Sequence, residues 1–209
     1  MTYLLIILFS ISLLYFALAE RMKMFVYLLS FQGFILFGLV FFNLQNISLA
    51  DFLFILTETI IVKAVVIPWF LNWVRKRNQL KRVHEPYVPV FYSILFTMLI
   101  IIVSLLITNN LLTSGLARGF LAIAMATVLF GIYFIVVHRN IFSHVVGYLI
   151  VENGIFLLSL AVGSEMPAMV NLAILLDLIM GILVLGIFIN RIGDRFHSIE
   201  TESLTSLKD

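Results

Sequence analysis

Seven stretches of about twenty apolar residues follow one another along the chain, and they restrict its fold more than any other feature. They lie at 2–19, 24–43, 52–73, 88–107, 119–137, 141–162 and 169–190. The hydrocarbon core of a bilayer is about 30 Å thick, so a helix that spans it needs about 20 mainly apolar residues. Only structures that satisfy their own backbone hydrogen bonds can cross it. We therefore predict an all-α integral membrane protein, a bundle of about seven transmembrane helices.

The composition excludes several classes of function. The 209 residues are 63% hydrophobic and 11% charged, whereas soluble domains are near half apolar and a quarter charged. The chain has no Cys, so it has no disulfides and no thiolate ligands for zinc or an iron–sulfur cluster. A formal charge of +2 is too small to indicate nucleic-acid binding. We expect no cofactor, no metal and no nucleic-acid partner for this chain.

Basic residues are concentrated in alternate connections between the predicted spans. Eleven Lys and Arg residues lie in the first, third and fifth connections and the C-terminal tail, and a single one, Arg118, lies in the other three. Connections rich in Lys and Arg stay on the cytoplasmic side. We therefore place the chain in the cell (inner) membrane, with its N-terminus outside and its C-terminus in the cytoplasm.

Four ionisable residues lie within the apolar spans: Glu58, Lys63, Glu152 and Asp177. A charge at the centre of a membrane helix costs roughly 2.5–3.5 kcal/mol unless it pairs or contacts water, so such residues usually face the bundle interior. Counting along the spans places Lys63 and Glu152 near the midplane and the other two nearer the outer surface. We predict a lateral chain of polar groups at this depth.

The third span combines a lysine with a proline. Glu58 and Lys63 are five residues apart, which in an α-helix is about 140° around the axis, so at least one needs a partner on another helix. Pro68 removes the hydrogen bond to the Ala64 carbonyl. We expect a kink, a free carbonyl and room for water beside Lys63.

Further polar residues accompany the buried charges. Asn153 follows Glu152, and Thr57 and Thr59 flank Glu58, where they can support water. His144 lies two turns from Glu152 and can feed protons toward it. The pattern fits a proton relay, in which burial and neighbouring charges shift protonation. It also fits structural ion pairs that only lock the helices together.

The last three spans, within 119–192, carry a set of matching positions: Arg139, Asn140, Gly147, Asn153, Asp177 and Gly181. With these residues the spans resemble the K subunit of bacterial complex I and the C subunit of Mrp-type cation/proton antiporters. The middle-helix Glu of the K subunit falls at Leu149, whereas this chain has Glu152, about one turn away on a similar face.

Gly147-Tyr148 is followed by Glu152-Asn153-Gly154, and four further predicted helices precede the last three. This pattern is similar to the hydrogenase-4 component E family, and the Gly-Tyr and Glu-Asn-Gly motif is its most specific part. The resemblance implies a four-helix region at 1–118, the K-subunit-like region at 119–192 and a cytoplasmic tail at 193–209. The other matching features are Lys63 followed by Pro68, Asp177 after Pro167, and the tail residues Leu204, Thr205, Leu207 and Lys208.

The resemblance implies a non-catalytic membrane subunit beside antiporter-like subunits. Its complex is expected to carry a nickel–iron centre and iron–sulfur clusters in partner subunits, and to couple electron transfer to proton or sodium movement. Lys63, Glu152 and Asp177 are then expected to belong to the ion pathway. Two alternatives remain at this point: a structural spacer without its own ion path, and a stand-alone carrier or receptor.

Overall fold

The computed structural model describes residues 1–43, 57–77, 88–109, 115–162 and 181. Every regular element in these ranges is helical, which confirms the all-α prediction. The chain divides into two compact units, Met1–Val170 and Asn171–Asp209, and the helices named here belong to the first. They are α1 (Thr2–Leu18), α2 (Met22–Asn43), a π-helix (Glu58–Val66) continued by α3 (Ile67–Arg77), α4 (Val90–Asn109), α5 (Gly115–Val137) and α6 (Ile141–Val162).

Four of these helices, α2, α4, α5 and α6, are long and apolar enough to cross a membrane. Helix α1 is equally apolar but shorter, and the π-helix that continues into α3 carries the buried Lys63. The described part of the chain is thus a membrane protein. The total of about seven spans and the positions of the termini stay predictions, since the span at 169–190 lies outside the described residues except for Gly181.

Contacts between neighbouring helices show that they alternate in direction. In α1 and α2, Phe16 packs on Phe25 while Ser12 bonds Gln32, as an antiparallel pair requires. Helices α5 and α6 form a second antiparallel hairpin, whose turn is only His138 to Asn140. The Asn140 side chain accepts a hydrogen bond from the Phe142 N–H at 3.1 Å, which caps the start of α6.

Glycines bring α5 and α6 into backbone contact. A Cβ on Gly131 would lie 2.8 Å from the Gly147 carbonyl oxygen, and a Cβ on Gly154 would lie 2.8 Å from the Val128 nitrogen. Small residues let membrane helices approach in this way, since lipid supplies no hydrophobic force to drive them together. The close approach fixes the position of α6, which carries Glu152 and Asn153.

Helix α4 has its polar face inside. The side chains that it buries are Ser93, Thr97, Ser104 and Thr108. Both threonine hydroxyls bond carbonyls one turn back, at 2.7 Å for Thr97 and 2.9 Å for Thr108. The opposite face exposes Phe, Leu, Ile and Met side chains. Such a helix suits lipid or another apolar surface outside and close packing on α1 and α5 inside.

We predict that Gly131→Ala lowers the free energy of unfolding by about 1–3 kcal/mol, because the new methyl group would overlap backbone atoms of α6. Gly119→Ala, on the same helix, is the matched control, since its Cβ would meet no backbone atom, only a flexible Ile6 side-chain end at 3.4 Å and a Tyr3 ring carbon at 3.9 Å. Denaturation in detergent micelles measures both. Equal stability of the two variants would contradict the tight α5–α6 contact.

Candidate functional site

The centre of the bundle holds a buried ion pair. Lys63 Nζ, on the π-helix, donates to Glu152 Oε1, on α6, at 2.7 Å. The two residues are 89 positions apart in sequence, and only 6% and 5% of their surfaces are exposed. Glu152 is eleven residues into α6, so the pair lies about 16 Å along the helix, near the middle of a span. Lys63 and Glu152, which counting along the spans places at one depth, are thus in direct contact.

An aromatic ring completes the surroundings of the lysine. The ammonium lies 5.0 Å from the centroid of the Phe156 ring, one turn along α6 from Glu152. A ring face attracts a cation most strongly when water is excluded. Because breaking a buried pair leaves one charge uncompensated, at a cost of about 3–5 kcal/mol, each member holds the other in place.

A row of hydrogen bonds between two amides and a hydroxyl begins at Asn153, the residue after Glu152. Asn153, next to Glu152, donates from Nδ2 to Gln32 Oε1 at 3.0 Å, and Gln32 Nε2 donates to Ser12 Oγ at 2.9 Å. Ser12 donates in turn to the Phe9 carbonyl at 2.6 Å. All three side chains are at least 95% buried. A row of hydrogen bonds therefore runs sideways through the bundle from α6 through α2 to α1.

The helix that carries Lys63 is not α-helical. Residues Glu58–Val66 form a π-helix, in which hydrogen bonds join residues five apart. The prediction that positions 58 and 63 lie about 140° apart is therefore wrong, because it used α-helical geometry; in a π-helix they are neighbours on successive turns. Thr59 is fully buried in this segment, whereas Thr57 just before it is exposed.

The carbonyl beside Pro68 does not remain free. Ser30 Oγ, on α2, donates to the Ala64 oxygen at 2.5 Å. The two backbones are close there, since a Cβ on Gly33 would lie 2.8 Å from the Ala64 Cα. The prediction of a free carbonyl is thus wrong: proline removes the donor within the helix and a serine from α2 replaces it.

His144 lies in the first turn of α6, next to the connection from α5. Its Nε2 is 2.5 Å from the His138 carbonyl oxygen, so this nitrogen carries the proton and donates. The eight residues to Glu152 correspond to about 12 Å along α6. The role of His144 in proton entry stays a prediction. His138 stacks on Phe134 with a centroid distance of 4.0 Å.

The structure does not describe every predicted site residue. Asp177 and the side chain of Glu58 lie outside the described residues. Gln32, Ser12 and Ser30 were not predicted from the sequence. Gln32 had a signal, as an amide side chain in the middle of an apolar span. Among the described residues, no three His, Cys, Asp or Glu side chains are grouped to hold a metal ion.

Comparison with known proteins finds relatives of two kinds. The chain is 25% identical to hydrogenase-4 component E of Escherichia coli and of Shigella flexneri over 152 residues, which are 71% of this chain and 69% of the relative. It is 25% identical over 151 residues to an uncharacterized protein of Mycobacterium tuberculosis, Rv0085, with the same coverage. The resemblance to hydrogenase-4 component E is thereby confirmed. No protein-family profile matches the chain. No solved structure matches it either.

We predict that the double variant Gln32→Leu with Asn153→Leu loses less free energy of unfolding than the two single variants lose in sum. The reason is that the two side chains share one hydrogen bond, which can be lost only once. Each loss should be about 0.6–1.7 kcal/mol, as for other hydrogen bonds between membrane helices. Unfolding in detergent micelles gives the free energies of the parent protein, the two single variants and the double variant. The control pairs Gln32→Leu with Ser159→Ala, whose hydroxyl bonds within α6. The effects of the two control substitutions should add. Additive effects in both cycles would contradict the row of hydrogen bonds from Asn153 to Ser12.

We predict that protonation of His138 destabilises the fold. Burial lowers the pKa of His138, and nearby His144 lowers that pKa further, against the raising effect of the bond to the Phe134 carbonyl. Below about pH 6.5, the ordinary histidine pKa, the unfolded chain gains a proton that folded His138 does not yet bind. The free energy of unfolding should therefore fall as the pH decreases through this window. The fall should be smaller in His138→Phe, and an equal fall would contradict the prediction.

Proposed function

We propose that this chain is a non-catalytic membrane subunit of a hydrogenase-type complex and that its buried charges take part in moving protons or sodium ions. The observation that carries the proposal is the Lys63–Glu152 pair, isolated from solvent in the middle of an apolar bundle. The similarity to hydrogenase-4 component E supplies the kind of complex. We place the complex in the cell membrane, with antiporter-like subunits as partners.

The energetics support a functional pair. Packed apolar residues in place of a buried ion pair are often neutral or stabilising, so stability alone is a weak reason to keep one. In a membrane such charges are typical of ion pathways. With Nζ and Oε1 at 2.7 Å, a proton can pass between the two groups without side-chain movement. That step alternates the pair between charged and neutral forms.

The amide chain supports a lateral path. Asn153, Gln32 and Ser12 neither bind nor release protons near neutral pH, but they fix polar atoms across three helices at the level of the pair. In the proposal they orient α6, so that Glu152 faces Lys63. Asp177, Glu58 and His144 are proposed to extend the path, with Thr59 and Pro68 shaping the helix around Lys63.

In this proposal the electron-transfer chemistry belongs to other subunits. The chain has no Cys, so a nickel–iron centre and iron–sulfur clusters are proposed to lie in partners. The residues of this chain then respond to electron transfer through movements or charges in adjoining subunits. The isolated chain is expected to have no hydrogenase activity.

The test uses the assembled complex in inverted membrane vesicles, with hydrogen turnover and ion uptake measured on the same preparation. We predict that Glu152→Gln abolishes ion uptake while the complex still assembles and turns over hydrogen with an artificial electron donor. Asp177→Asn is expected to do the same. Glu20→Gln makes the identical change at an exposed site and should leave uptake unchanged. Normal ion uptake in both Glu152→Gln and Asp177→Asn would exclude the relay.

A structural spacer is the second candidate, because a direct 2.7 Å ion pair beside a phenyl ring also suits a permanent lock. Replacing both partners, Lys63→Met with Glu152→Met, separates the two functions. If the pair only locks helices, apolar side chains replace it with assembly and ion uptake both intact. If the pair carries ions, assembly is kept and uptake is lost.

A further inference from the structure

A groove runs down the outer surface between α2 and the segment formed by the π-helix and α3. Its volume is about 310 Å³, and it lies on a different side of α2 from the Ser12 and Asn153 contacts. Neither Lys63 nor Glu152 lines it, so it is separate from the candidate ion site. The lining residues are Lys23, Val26, Tyr27, Ser30, Phe34, Ala64, Val65, Pro68, Trp69 and Asn72.

One end of the groove is basic and aromatic. Lys23 Nζ lies 5.2 Å from the centroid of the Tyr27 ring, and Trp69 is 68% exposed beside it. Asn72 Oδ1 accepts two hydrogen bonds from Arg75, from Nη2 at 2.8 Å and from Nε at 3.2 Å. None of the ten lining residues is acidic. Tyr and Trp with Lys and Arg are typical of the headgroup level of a membrane.

The rest of the groove is apolar and as deep as one leaflet. Its far end is formed by Phe34 and Val65, which are both about half exposed. The eleven residues from Lys23 to Phe34 correspond to about 16 Å of helix, close to half of the ~30 Å hydrocarbon core. The Ser30 hydroxyl and the Ala64 carbonyl, which lie inside the groove, are already hydrogen-bonded to each other.

We propose that this groove binds one anionic phospholipid, with the phosphate at Lys23 and near Arg75 and an acyl chain along Val65 toward Phe34. The charge of the groove end selects an anionic headgroup. Its position agrees with the predicted cytoplasmic side, where anionic lipids attract basic residues near the membrane surface. A bound lipid would cover the seam where α2 meets the π-helix, next to the close contact of Gly33 with Ala64.

The test measures lipid binding to the purified, delipidated full chain in detergent by native mass spectrometry. Dioleoyl phosphatidylglycerol is compared with dioleoyl phosphatidylcholine, which has the same acyl chains and no net charge. We expect one tightly bound phosphatidylglycerol and weaker binding of phosphatidylcholine. Lys23→Gln should weaken phosphatidylglycerol binding about fivefold, the usual effect of one basic residue near an anionic lipid surface.

Two further variants separate a built site from general attraction. Lys76→Gln removes the same charge from an exposed residue of α3 that does not line the groove, and it should change binding less than twofold. Val65→Trp fills the groove from an exposed position and should weaken the binding of both lipids.

Three results would overturn the proposal. One is equal binding of the two lipids. Another is an equal loss of binding in Lys76→Gln and Lys23→Gln, which would show unspecific surface attraction. The third is unchanged lipid binding in Val65→Trp together with loss of a partner subunit from the purified complex, which would show that a protein helix fills the groove. Each can occur whether or not the ion pair moves protons.

Discussion

A charged side chain in a layer without water must find its partner inside the protein, and much of this bundle follows from that condition. Lys63 and Glu152 satisfy it for each other across two helices. Their contact brings the π-helix close to α6, and both of these helices also pack on α2. Glycines support this packing: Gly33 lets α2 approach Ala64, while Gly147 and Gly154 place α6 against α5.

Helix α2 connects the separate parts of the interior. On one side Gln32 joins Ser12 of α1 to Asn153 of α6, and on another Ser30 bonds the Ala64 carbonyl of the π-helix. Each bond uses a short polar side chain on an otherwise apolar helix. Because α2 bonds both helices that carry the ion pair, its position is tied to the positions of Lys63 and Glu152. The ion pair and the placement of these helices therefore depend on each other.

Helix positions and the buried charges were predictable because apolar length and isolated charge are local properties of a sequence. The common depth of Lys63 and Glu152 followed from counting along the spans, but the choice of Glu152 as the partner of Lys63 did not. The π-helix was not predictable, since Glu58–Val66 has no residue pattern that distinguishes five-residue from four-residue hydrogen bonding. Nor were the contacts of Ser30 and Ser12 with other helices, because a serine in a membrane helix usually bonds its own backbone. Their partners depend on which helices are neighbours, and that is a property of the packed bundle.

Helix α4 reverses the arrangement of a helix in a soluble protein, with hydroxyl groups inside and large apolar side chains outside. Turning such a helix over would gain little, because its inner face has few apolar atoms to offer to lipid. The orientation of α4 is therefore fixed by the small number of apolar atoms on its inner face. Its outer face can therefore exchange acyl chains for another apolar surface without any repacking of the side chains inside the bundle.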